Sequence, residues 1–215
     1  MKERPILMNG AMVRATLRDE DPKTQTRRIV KPQPPAAARE VFTFHHPDPR
    51  THFYGFDGDA LMDWAQPCPY GEVGDRLYVR ETWQHSNYPF GPYDPDCLVF
   101  YRADYLDDPL GPDLERSADG IRRQWRPSIH MPRAAVRTIL EVTGVRVERL
   151  QKISEDDARA EGVEASANPV FPYAYAFGQL WESINGKGSW YANPWVWVVE
   201  FKRIETSGGG NAVAL

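Results

Sequence analysis

The sequence predicts an α+β protein built on a small, mostly antiparallel β-barrel with flanking helices. Strand-length apolar runs recur along the chain, among them Leu77 to Trp83 and Trp195 to Phe201. Between them lie stretches with the spacing of amphipathic helices. Turn formers are abundant, with 19 Pro and 16 Gly in 215 residues, which suits many short elements better than a few long ones.

Taken in order, Ile6 and Leu7 predict a short first strand. Asn9 is placed to cap a helix through Leu17, with Met12, Ala15 and Thr16 at helical spacing. Asp19, Glu20 and Asp21 are unfavourable at a helix C-terminus, and Pro22 prevents continuation. From Lys31 to Pro67 the chain becomes rich in Pro, Ala, His and aromatics and reads as a long excursion with one hairpin around Phe53–Asp59. The Gly74-Asp75 turn leads into a strand in which Leu77, Val79 and Glu81 alternate with Tyr78, Arg80 and Thr82. A second Pro- and Asp-rich excursion runs from Gln84 to Gly120, interrupted by a strand around Cys97–Arg102. Val136–Val142 and Val145–Leu150 predict two strands joined by a turn at Thr143-Gly144. Ser154 with Asp157 forms a capping-box-like start to a helix closed by Gly162. Tyr173 to Ile184 predicts a further helix, with Ala176, Phe177, Leu180, Trp181 and Ile184 on one side. Pro194–Phe201 is apolar on both faces, as a central strand is. The expected organisation is one domain over residues 1–206 and a disordered tail, 207–215.

Composition narrows the function. A net charge of -4 with 26% charged residues is not that of a polycation coating nucleic acid, so such binding requires a local basic patch. No apolar run approaches the roughly 20 residues of a membrane span, and Met1-Lys2-Glu3-Arg4-Pro5 does not begin a secretory signal. Two cysteines, Cys68 and Cys97, make no disulfide framework, and a reducing cytoplasm is the expected home. His45, His46 and His52 lack a carboxylate or Cys at ligand spacing, so neither metal nor cofactor is expected. Gly186-Lys187-Gly188-Ser189 follows a helix and lacks the spacing of a phosphate loop.

The unusual stretch is Lys23-Thr24-Gln25-Thr26-Arg27-Arg28, with no large apolar side chain. It sets two hydroxyls among a point charge and two forked donors, the groups used on phosphate, carboxylate or a polarised carbonyl. A solvated basic turn is the plain alternative. The most basic window is Arg122–Arg133, where Arg122, Arg123 and Arg126 surround Trp125, as suits stacked bases and phosphates. There the plain alternative is a core tryptophan.

The ordered set of Lys23–Arg28, Gly74-Asp75-Arg76 through Trp83, Ile153-Ser154-Glu155-Asp156-Asp157 through Gly162, and the final Trp195–Phe201 strand resembles the ASCH-domain family of the PUA-like barrel superfamily. The likeness is to the larger members common in phages and prophages, and it covers about half the chain. The segments 32–67 and 84–120 are insertions relative to the small members. Those relatives carry Gly-Arg or Gly-Lys before the lysine, where this chain has Asp21-Pro22.

The resemblance implies a PUA-like barrel whose groove takes RNA or a modified nucleoside. Some small relatives hydrolyse the acetyl amide of N4-acetylcytidine with a Lys, a Thr and a Glu, which fall on Lys23, Thr26 and Glu161. The lysine would be the base, the threonine the nucleophile and the glutamate the proton donor to the leaving amine. Thr24, Arg27, Arg28, Arg80, Arg122, Arg123, Trp125 and Arg126 complete the expected binding set. Three functions stay open: an amidohydrolase on an N-acylated pyrimidine, a non-catalytic reader of RNA or a modified base, and a ribonuclease. Lys23 and Thr26 are three positions apart, so they share a cleft only if the segment is bent.

Overall fold

The computed structural model describes residues 1–44, 52–106 and 124–204. In chain order these form β1 (Glu3–Leu7), α1 (Gly10–Leu17), β2 (Gln25–Ile29), β3 (Glu40–Phe44), β4 (His52–Asp57), β5 (Ala60–Pro67), β6 (Arg76–Arg80), β7 (Trp83–His85) and β8 (Val99–Tyr101). Then come β9 (Ile139–Arg149), α2 (Glu155–Ala160), α3 (Pro172–Asn185) and β10 (Trp195–Ile204). The architecture is α+β, with mostly antiparallel sheets and three α-helices among the described residues. None of these helices is long and apolar enough to cross a membrane.

The main sheet has the order β1-β6-β9-β10-β2, and only β1 and β6 run parallel. Its pivot is β10. Because successive side chains point to opposite faces, Trp195, Trp197, Val199 and Phe201 enter one core while Val196 and Val198 enter another. The first core is covered by α1 and by a three-stranded sheet, β3-β4-β5, whose Phe53 meets Trp197 edge-on at 5.0 Å. The second is covered by α2 and α3 through Ala158, Phe177 and Trp181. A strand covered on both sides must be apolar on both faces, which is what its sequence indicates.

Several elements match their sequence signals. Asn9 caps α1, its side chain accepting from Met12 N at 2.9 Å. Ser154 caps α2 in the same way, accepting from Asp157 N at 3.0 Å, and Gly162 follows with a φ of 81°. The expected hairpin around Phe53–Asp59 is β4–β5, turning at Gly58 with a φ of 60°.

Three expectations are corrected. The barrel is not closed, since β1 and β2 are the two ends of the main sheet. Alternation assigns faces to a strand but not partners, and it gave no means of testing closure. Thr143-Gly144 is no turn, because β9 runs through it unbroken. The glycine sits opposite Glu200, where the β9–β10 register shifts, and a Cβ there would run into the Glu200 carboxylate. The missing side chain therefore serves a β-bulge. Finally, the Lys23–Arg28 segment is not a bent surface turn: from Gln25 onward it is β2, paired antiparallel with β10.

Candidate functional site

Lys23 precedes β2 and is anchored at two backbone points. Its N–H donates to Ala15 O of α1 at 2.8 Å, and Thr24 N–H donates to Ala160 O of α2 at 2.9 Å. Gly162 completes the junction. A Cβ on it would lie 2.7 Å from Ala15 Cβ and 2.9 Å from Lys23 Cβ, so only glycine allows the three segments to approach this closely. The residue before it, Glu161, is thereby aimed at Lys23.

Lys23 Nζ donates to Glu161 Oε2 and to Glu161 O, both at 2.6 Å. Arg27 Nη1 donates to Glu161 Oε1 at 3.3 Å, while its Nη2 reaches Glu148 at 2.6 Å and Asp157 at 3.2 Å. The side chains of Lys23 and Arg27 are 0% exposed and that of Glu161 is 2% exposed, so this is a buried ionic cluster. Burial pushes the Lys23 ammonium below the ordinary lysine value, against the opposing pull of Glu161. Burial also opposes ionisation of Asp157, but Arg27 and Arg146 hold its carboxyl below the usual carboxylate range.

Thr26 stands apart from this cluster. It pairs with Val199 and Arg27 pairs with Val198, so the two project to opposite faces of β2. Arg27 reaches Glu161, whereas Thr26 points to the core side. Its Oγ1 is fully buried and makes no hydrogen bond among the described residues. The structure joins Lys23 to Glu161, as expected of that pair, while the strand from Gln25 onward turns Thr26 to the face opposite Arg27.

A groove of about 270 Å³ opens beside the cluster, along the free edge of β2. Tyr70, Phe177, Trp181, Met12 and Ile29 supply apolar walls, and Arg27, Arg28, Lys31 and Glu161 supply charge. Arg28 lines it while donating to Leu7 O at 2.6 Å. The buried Trp181 indole N–H has no hydrogen-bond partner among the described residues, and burial raises the Tyr70 phenol, which keeps it neutral. Sequence reasoning missed Tyr70 and Lys31, and took Phe177 and Trp181 only as a helix's core face. They are that, but α3 overhangs the edge of β2, so the same face also walls the groove.

The other expected residues lie elsewhere. Thr24 is exposed. Arg80 holds the 3-10 turn Ser128–His130 ahead of β9, donating to Met131 O at 2.8 Å and to Ile129 O. Trp125 packs on Tyr105, with ring centroids 5.6 Å apart. Arg126 lies over the Trp83 ring at 5.2 Å, with Nη1 3.0 Å from His85 Nε2. The described part of the basic window is thus knitted to β7 and β8. Arg122 and Arg123 lie outside the described residues, as do His45 and His46. Among the described residues no three His, Cys, Asp or Glu side chains group as metal ligands would.

No protein family, curated protein or solved structure matches this chain in comparison.

Proposed function

We propose that this chain is an ASCH-type, PUA-like binding module that takes a nucleoside, or a base of RNA, in the groove beside Glu161. The observation that carries this reading is the composition of the groove. Aromatic side chains of Tyr70, Phe177 and Trp181 line it together with the cations Arg28 and Lys31 and the carboxylate of Glu161. Aromatic faces stack bases with little sequence preference, cations meet the phosphate or ribose, and a carboxylate accepts from an exocyclic amine. The buried Lys23 and Arg27 each hold one oxygen of the Glu161 carboxyl group, so the acceptor is pre-organised.

Hydrolysis of an N-acylated pyrimidine is a second reading, favoured by one observation: burial lowers the Lys23 pKa, as a base requires. Thr26 would be its nucleophile only if the hydroxyl, which lies on the face of β2 opposite Arg27, meets the acyl carbon; a Thr26→Ala variant that keeps turnover would assign that role to water. Incubation with N4-acetylcytidine and a panel of unmodified and modified nucleosides, followed by mass spectrometry and equilibrium binding, separates the two. The binding reading expects saturable association without loss of the acyl group, and weakening of about tenfold or more on Tyr70→Ala, from the loss of one stacked ring. Release of acetate by wild-type protein but not by Lys23→Ala would replace it with the hydrolytic reading.

A further inference from the structure

The outer face of α3 carries a second cavity, of about 440 Å³, which shares no lining residue with the groove beside Glu161. Phe171, Tyr175, Gln179 and Glu182 recur at helical spacing on the side away from Phe177 and Trp181. The far wall is Trp190 and Tyr191, from the turn that leads into β10. That turn is held in place. Trp190 O accepts from Gln151 Nε2 and from Asn193 N at 2.9 and 3.1 Å, and the Trp190 ring meets Phe177 edge-on at 6.3 Å. Gly178 explains how the indole lies so close to the helix: a Cβ there would already touch the ring, at 3.4 Å.

The electrostatics of this cavity have one sign. Four aromatic residues, Phe171, Tyr175, Trp190 and Tyr191, line it, rings whose faces carry a negative quadrupole, and among the described residues Glu182 is the one charged residue of the lining. Glu182 Oε1 accepts from Gly188 N at 3.0 Å, which fixes the carboxylate at the cavity edge. Lys187 lies in the same turn but does not line the space. A phosphate or carboxylate would meet Glu182 without a compensating cation. A cation that sheds water readily fits better, since attraction to aromatic faces must exceed the cost of desolvation. An alkylated ammonium is weakly hydrated and matches apolar walls, and the cavity leaves room for the chain that bears it. We propose that this cavity is an aromatic cage for an alkylated ammonium cation.

Calorimetric titration of the full chain with choline, and with its neutral isostere 3,3-dimethylbutan-1-ol, tests the charge requirement directly. Choline is expected to bind at least about threefold more tightly than the isostere, the scale of an exposed cation–π interaction. Tyr191 is 81% exposed, so Tyr191→Ala removes a wall without opening the core. Glu182→Gln keeps an acceptor for Gly188 while removing the charge. Each variant should weaken choline binding by at least about threefold with the fold unchanged by circular dichroism. A second arm uses a peptide bearing trimethyllysine. Tighter binding of the peptide than of choline supports the cage and assigns it to a protein side chain, and the reverse supports it and assigns it to a free small molecule. Equal binding of choline and its isostere, no binding of either cation, or affinities unmoved by both substitutions would overturn the proposal.

Discussion

Lys23 Nζ lies 2.6 Å from Glu161 Oε2, with the Lys23 side chain 0% exposed and that of Glu161, which borders the groove, 2% exposed. Removing one partner of a buried pair leaves an uncompensated charge, which costs about 3–5 kcal/mol. Glu161→Ala, which strands Lys23, should lower the unfolding free energy on that scale, and Lys23→Ala should lower it less, because Arg27 still reaches Glu161. The double variant should lose less than the sum of the two, because no charge is then stranded. Urea denaturation of the three variants checks this, and additive losses would mean that the pair is not coupled.

Gly162 is the hinge on which that pair depends. Its φ of 81° disfavours any side chain, and a Cβ would stand 2.7 Å from Ala15 Cβ. Gly162→Ala should destabilise by more than about 1 kcal/mol, the ordinary cost of a non-glycine residue in this region, with steric displacement added. An Ala variant as stable as wild type would show that α1, α2 and the Lys23 segment are not packed this tightly.

Asp157 sets a pH dependence. Burial works against its ionisation, yet Arg27 and Arg146 depress its folded-state pKa below the unfolded value. The stabilisation is therefore complete above the unfolded value and is lost as pH falls through the folded one. Wild-type melting temperature should drop below about pH 4, and Asp157→Asn should start lower and fall less steeply across that range. Parallel acid limbs for the two proteins would remove Asp157 from the explanation.

The cysteines should differ in reactivity. Cys68 is buried, and burial pushes its thiol up to about 12, so the reactive thiolate is scarce at neutral pH. Cys97 is half-exposed. Iodoacetamide at neutral pH should label Cys97 in the native protein and Cys68 only after denaturation, as read by peptide mass. Rapid native labelling of Cys68 would contradict the packing around it.

What the sequence made legible follows from the range of its signals. Caps and helix ends are local, so Asn9, Ser154 and Gly162 announced α1 and α2 correctly. The two-sided apolarity of β10 is also local and placed it between covering layers. Strand partnership is not local. Nothing within Lys23–Arg28 says that β10 will straighten it from Gln25 onward and set Thr26 and Arg27 on opposite faces. Gly144 misled for the same reason, because the Glu200 side chain it accommodates is on another strand. Trp125 and Arg126 looked like a nucleic-acid window because their partners Tyr105, Trp83 and His85 are distant in sequence. The ionic cluster was half visible: Lys23, Arg27 and Glu161 stood out, but Glu148 and Asp157 became partners only through the fold.

The most direct measurement is an indole N–H chemical-shift titration of the full chain with nucleosides. Trp181 lines the groove, while Trp83 and Trp125 belong to the packing around β7 and β8. Binding beside Glu161 should shift the Trp181 resonance in a saturable way, with Trp83 and Trp125 unmoved, and Arg28→Ala should weaken the response. Shifts at Trp83 or Trp125 with Trp181 silent would place the ligand at the basic window and contradict a nucleoside groove beside Glu161.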